Sequence, residues 1–271
     1  MKSKLLLSAL MLISFSLFGQ ESSDDSYELR SNEKLGYIID KNDKKIEGVV
    51  KMTGSATRPW DNQKKVKFIA KDEIKSDSKK LKFKKMDDND LKEYVAIDEN
   101  GVERKFKMIK FTNKREGISN TGGGIGGSVK SIKNLASTTH LAEVVVEGPV
   151  MVYRLYGYPS PVAVGSGDVK EMESAEQNLR DYPSIIFGGE KDKLQEVDVE
   201  SITELVAKCD VVKTKMEKGE YPSYVPEKDG KKRSGMGKMI KNEVNRVNGS
   251  KLVDMSKEII GDYNTQCGSA K

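Results

Sequence analysis

Apolar and polar positions along the chain follow two periods. From residue 34 to about 189 they alternate in short runs, the mark of strands with one face turned to a core. Gly36-Tyr37-Ile38-Ile39-Asp40 and the run Ile46 to Met52 flank the turn residues Lys41 to Lys45, which predicts a β-hairpin. Thr53 to Asn62 is a loop that lays Trp60 over an open end of the sheet. Val66 to Ala70 and Leu81 to Lys84 predict two more strands, and Asp87 to Leu91 a helical turn. Glu93 to Asp98 and Val102 to Phe111 form a second hairpin around Glu99-Asn100-Gly101. In its last strand Phe106, Met108 or Ile109, and Phe111 mix with Lys105, Lys107 and Lys110, which gives an antiparallel sheet one wet face.

Leu141 to Tyr156 is the most apolar stretch after the first 19 residues. Val144 to Val146 are β-branched, Gly148-Pro149 breaks the run, and Val150, Val152 and Leu155 resume it, so a central hairpin is expected. Val162 to Val164 pairs in the same region, and Ser184 to Phe187 is the last strand. A glycine-rich loop covers 117–128, followed by Val129, Ile132 and Leu135 at helical spacing.

Near Glu190 the period changes to that of a helix. Ser201-Ile202-Thr203-Glu204 matches a capping box, and Ile202, Leu205, Val206, Cys209, Val212 and Met216 fall on one face. Asp210 offers a second start, so a break near Cys209 is expected, and Gly219 is a stop. A basic linker over 222–237 leads to two more helices, marked by Met239, Ile240, Val244 and Val247, then by Leu252, Met255, Ile259, Ile260 and Tyr263. The expected class is α+β: an antiparallel sheet or barrel-like region over 34–189, then a small helical region over 190–271.

Residues 1–19 read as a secretory signal peptide. Lys2 and Lys4 precede an apolar run from Leu5 to Phe18, and Gly19 is a small residue before a cut at Gln20. The run is shorter than the roughly 20 residues a spanning helix needs. Residues 20–33 form a polar leader, and no later segment is apolar enough to cross a bilayer. An exported protein is expected: periplasmic, outer-membrane-associated or extracellular. Loss of Lys2 and Lys4 lowers the formal net charge from +5 to +3, and the remaining lysines are dispersed among acids. That argues against nucleic-acid binding, which concentrates basic residues in a stripe.

Cys209 and Cys267 are the two cysteines. Outside the reducing cytosol an even count favours a disulfide, and neither has a ligand-spaced Cys or His beside it for zinc. Antiparallel packing of the last helix on the first brings them together.

Three short motifs stand out: Gly36-Tyr37-Ile38-Ile39 with Ile46-Glu47-Gly48-Val49-Val50, then Glu147-Gly148-Pro149-Val150 with Val152-Tyr153-Arg154. A helical ending follows, with Cys209, Lys215 to Tyr221, and Ile259-Ile260-Gly261-Asp262-Tyr263-Asn264. Together they resemble a group of exported Bacteroidetes proteins with no assigned activity. The resemblance implies an envelope location and brings no catalytic residues. Val152 stands where that pattern often has Leu, and 226–237 is an added insertion.

The chemistry-bearing motifs are sparse. Gly122 to Gly127 satisfies G-x-G-x-x-G, but the preceding strand ends at Phe111 and is studded with lysines, unlike a dinucleotide site. His140 is the single histidine and reads as loop polarity; Ser166 lacks the context of a nucleophile elbow. Asp24-Asp25, Asp87-Asp88 and Asp90 sit in charged turns. No catalytic residue, metal or cofactor is assigned. Trp60, Tyr153, Tyr156 and Tyr158 are the candidate binding surface. The expected function is a non-enzymatic binding or structural module for an envelope protein or polysaccharide. The alternative is a carboxylate-dependent hydrolase of an envelope glycan or peptide, which needs two facing carboxyl groups.

Overall fold

The structure is a computed structural model that describes residues 28–75, 80–112, 139–159, 169–189, 193–224 and 249–268. The chain is α+β. Its strands are β1 (Glu33–Asp40), β2 (Lys45–Lys51), β3 (Lys65–Ala70), β4 (Lys84–Asp87), β5 (Leu91–Ile97), β6 (Glu103–Lys110), β7 (Thr139–Val146), β8 (Val150–Leu155), β9 (Ser184–Gly189) and β10 (Gln195–Glu196). They form one open antiparallel sheet in the order β10-β9-β8-β7-β6-β5-β1-β2-β3-β4. The described helices are α1 (Val169–Asp181), α2 (Val199–Val206), α3 (Asp210–Glu217) and α4 (Gly249–Gln266).

Aspartates make the turns of the first half. Asp40 Oδ1 accepts from the Asn42 and Lys44 amides at 2.8 and 2.9 Å. Asp98 Oδ1 does the same for Asn100 and Val102 at 2.8 and 2.9 Å. Asp87 accepts from the Asn89 amide at 2.9 Å. A short polar side chain thus replaces a backbone partner and reverses the chain. The helical turn expected over 87–91 is this Asp-led turn between β4 and β5 instead.

Residues directly opposite on adjacent strands share a face of the sheet. One such row runs through Ile46, Ile38, Tyr94, Phe106, Glu143, Arg154 and Ile185, crossing β2, β1, β5, β6, β7, β8 and β9. At its β2 end the row belongs to an apolar cluster that includes Ile38, Val50, Phe68, Tyr94, Phe106 and Leu141. At its β9 end it enters a second cluster, where Val146, Val152, Ile185 and Phe187 meet Ile202, Val212, Ile259 and Ile260 of the helices. Glu143 and Arg154 lie between the two.

A 3-10 turn, Pro59–Gln63, packs against both β3 and β7, which are five places apart in the sheet order. A flat sheet would separate them by about 24 Å at roughly 4.8 Å per strand. Five residues of 3-10 helix rise only about 10 Å. The sheet therefore curls around the turn without closing. Gly48 serves the same curl: the Phe68 ring and the Ile69 carbonyl lie where a Cβ would stand.

Several elements depart from the sequence reading. The strand expected over 81–84 begins at Lys84, and Leu81 and Phe83 instead pack with Val49 and Ile69 on the other face. Glu33, expected in the leader, opens β1, and its buried carboxylate accepts from Lys51 Nζ at 2.7 Å. Helix α1 lies inside the region expected to be strands. Helix α2 starts at Val199 with Asp198 as its N-cap; Ser201 occupies the third helical position and bonds back to the Asp198 amide. The expected break does occur: Cys209 is extended between α2 and α3. Gly219 ends α3 with φ +70°. The expected signal peptide, the glycine-rich loop 117–128, the helix after it, the pairing of 162–164, most of the linker and the helix over 239–247 lie outside the described residues.

Candidate functional site

The charged pair in the apolar row is part of a larger cluster. Strand β7 presents Glu143, the hairpin partner β8 presents Arg154 directly opposite, and β6 presents Arg104 two residues before Phe106. Glu143 is buried, at 7% exposure. Arg104 Nε and Nη2 each lie 3.0 Å from its Oε1. Arg154 donates to its Oε2 from Nε at 3.0 Å and from Nη2 at 2.7 Å. Each guanidinium thus gives one edge to one carboxylate oxygen, a charge-assisted and rigid arrangement.

Aromatic rings floor the cluster. The Arg154 guanidinium lies over the Tyr156 ring at 5.7 Å and that of Arg104 over Phe106 at 5.5 Å, while Phe106 stacks on Tyr94 at 4.6 Å. Burial works against the charge on Arg154, and Glu143 outweighs it, so its pKa is raised. Burial pushes the Tyr156 phenol up, against the pull of Arg154. The side chains of Arg104 and Arg154 remain 46% and 29% exposed, so the outer edge of the cluster meets solvent.

The four aromatic residues expected to form a binding surface do not form one. Trp60, Tyr153 and Tyr158 are buried and Tyr156 is half-buried. An aromatic ring with a polar tip reads alike in sequence whether it covers a core or fills it. Trp60 sits in the 3-10 turn inside the curled sheet, and its indole N–H has no hydrogen-bond partner among the described residues. Tyr153 packs on the opposite face, with Ile109 and Leu155. Tyr156 alone joins the arginine cluster. His140 is buried, with Nε2 3.1 Å from the Phe111 carbonyl and its ring against Tyr158.

Cys209 and Cys267 are joined in a disulfide with their Cα atoms 6.0 Å apart. Beside it a polar network ties α3 to α4. Asp262 Oδ2 accepts from Lys215 Nζ at 2.7 Å and from the Tyr221 hydroxyl at 2.6 Å. Burial raises the Asp262 pKa, but the bonds from Lys215, Tyr221 and Gln266 together outweigh it and hold the carboxyl below its usual range. Burial, and then the same bond, push Tyr221 far up. One turn earlier, Glu258 accepts from the Ser223 hydroxyl at 2.5 Å and its amide at 3.0 Å. Among the described residues no group of His, Cys, Asp and Glu is placed to hold a metal ion.

The binding surface read from the sequence included none of Arg104, Glu143 and Arg154, although Arg154 stands in one of the shared motifs. Glu143 is the lone acid within the apolar run of β7, and Arg154 the lone base in β8. Counting outward from Gly148-Pro149 would have set them opposite, apart from the bulge between Val144 and Val146. No helix among the described residues is long and apolar enough to cross a membrane. Compared with known proteins, the chain matches no protein-family model, no curated protein and no solved structure.

Proposed function

We propose that the chain is an exported envelope protein that acts as a binding module, and that it takes its ligand at the Arg104–Glu143–Arg154 cluster. The observation that carries this reading is the row of directly opposed residues across seven strands, apolar at both ends and charged at Glu143 and Arg154. Burying charge in a sheet interior is costly, and an apolar row would serve stability as well or better. Retained charge that keeps one edge in solvent points to recognition.

Export is supported by the leader-like first 19 residues and by the disulfide, which persists in oxidising compartments. The likeness to exported Bacteroidetes proteins also supports an envelope location, and its motif residues fasten α4 both to the sheet and to the residues after α3. Asn264 bonds both backbone groups of Val150, and Tyr221 bonds Asp262. At this cluster a binding role is favoured over hydrolysis, because its one carboxylate is already engaged: both oxygens of Glu143 are held by guanidiniums. On α4, Glu258 and Asp262 are likewise engaged by Ser223, Lys215 and Tyr221.

The test is expression with residues 1–19 intact, followed by fractionation, intact mass and a pull-down from the envelope. The expected product lacks the leader and carries one disulfide. It should retain envelope material that an Arg104→Gln variant releases. A full-length protein left in the cytoplasm, or equal retention by the variant, would overturn the reading.

A further inference from the structure

We infer that the arginine cluster recognises a carboxylate-bearing ligand, an acidic sugar residue being the class that fits; this rests on the binding-module reading above. Three features lead there. The first is the donor geometry. Arg104 and Arg154 each direct Nε and Nη2 to Glu143, and among the described residues neither Nη1 makes a hydrogen bond. A guanidinium carries five N–H donors in a fixed fork, so each keeps an unused edge suited to a planar two-oxygen anion. Because Glu143 holds both forks from behind, those edges are pre-positioned and little freedom is lost when a ligand arrives.

The second feature is charge. Two guanidiniums and one carboxylate leave a single positive charge in the cluster. A carboxylate neutralises it; a phosphate dianion would leave an excess of negative charge beside buried Glu143. The third is the half-buried Tyr156. Its ring lies under Arg154, and its hydroxyl makes no hydrogen bond among the described residues. A phenol that can donate or accept, set beside cationic donors, suits a ligand that carries hydroxyls next to its carboxylate.

The test uses the mature disulfide-bonded protein, with trigalacturonate as probe and maltotriose and inorganic phosphate as controls, in calorimetric titrations at low salt. Trigalacturonate is expected to bind saturably, maltotriose not to bind, and phosphate to bind at least tenfold more weakly. Arg104→Gln, at a half-exposed side chain, should weaken trigalacturonate binding roughly tenfold or more. Tyr156→Phe keeps the ring and should weaken binding severalfold with the unliganded melting temperature unchanged. No trigalacturonate binding by folded protein, an unchanged affinity in Arg104→Gln, or phosphate binding as tight as the uronate would each overturn the carboxylate assignment. If the envelope pull-down succeeds while trigalacturonate fails, the ligand class falls and the binding-module reading stands.

Discussion

Gln63 pairs with Tyr156 as a neighbouring strand would. Its Oε1 accepts the Tyr156 amide at 2.5 Å and its Nε2 donates to the Tyr156 carbonyl at 2.9 Å. Asn264 repeats the device at the other end of β8. There its Oδ1 accepts from the Val150 amide at 2.9 Å and its Nδ2 donates to the Val150 carbonyl at 2.8 Å. One strand is thus bracketed by two side-chain amides, one from the 3-10 turn before β3 and one from α4. Gly148, at φ +144°, lets the β7–β8 turn pass close to Asn264, whose amide would collide with a Cβ there.

Gln63→Ala should be costly out of proportion to its size. It strands a backbone donor and acceptor in a half-buried position, at about 1–3 kcal/mol for each unmet group. Urea unfolding should show a loss of about 2–4 kcal/mol with little change in slope. A loss below about 0.5 kcal/mol would mean that water replaces the amide and the bracket is not structural.

Reduction of Cys209–Cys267 should lower stability by roughly 4 kcal/mol, since the bridge spans a separation of 58 residues. The paired Cys209→Ala and Cys267→Ala variant should match the reduced protein in thermal unfolding. Two alkylatable thiols in protein prepared without reductant would contradict the bridge.

Acid should loosen the helical end through Asp262. Its folded-state pKa is depressed, so its contribution is present above the unfolded carboxylate value of about 4 and is lost as pH falls through the folded value. Melting temperatures measured from about pH 5 to about pH 2 should fall more steeply in the native protein than in Asp262→Asn. Parallel curves would assign the acid sensitivity elsewhere.

Lys51, Lys67 and Lys85 stand directly opposite one another on β2, β3 and β4. Lys51 is paired with Glu33, but Lys67 is exposed between two like charges. Lys67→Glu should stabilise the sheet by about 0.2–1 kcal/mol, and the gain should shrink at high salt.

Legibility followed the range of the interaction. The hairpins β1–β2, β5–β6 and β7–β8 were readable because alternation and turn residues act over a few positions. The face Ile202, Leu205, Val206, Cys209, Val212 and Met216 was readable for the same reason, and all but the half-buried Leu205 are buried. Helix α1 was missed because VKEMESAEQNLRD has few apolar residues to set a period. Strand β10 is two residues long and exists through its pairing with β9. At α2 the capping-box pattern pointed to Ser201, and the reciprocal bonds instead make Asp198 the cap, with Ser201 in the third position. The arginine cluster was hidden because Arg104 and Glu143 are 39 residues apart and only strand order makes them neighbours.

The placement of α4 sets a hazard during synthesis. Sheet residues Val146, Val152, Ile185 and Phe187 need Ile259 and Ile260 to cover them, and the start of β8 needs Asn264. All three covering residues emerge more than 60 positions after β9 ends at Gly189. Until then the nascent sheet carries a sticky, half-finished surface, the kind of transient exposure that invites aggregation. A chain stopped within 225–248 would keep all the described strands and lose α4, so premature termination there should yield an insoluble or protease-sensitive product.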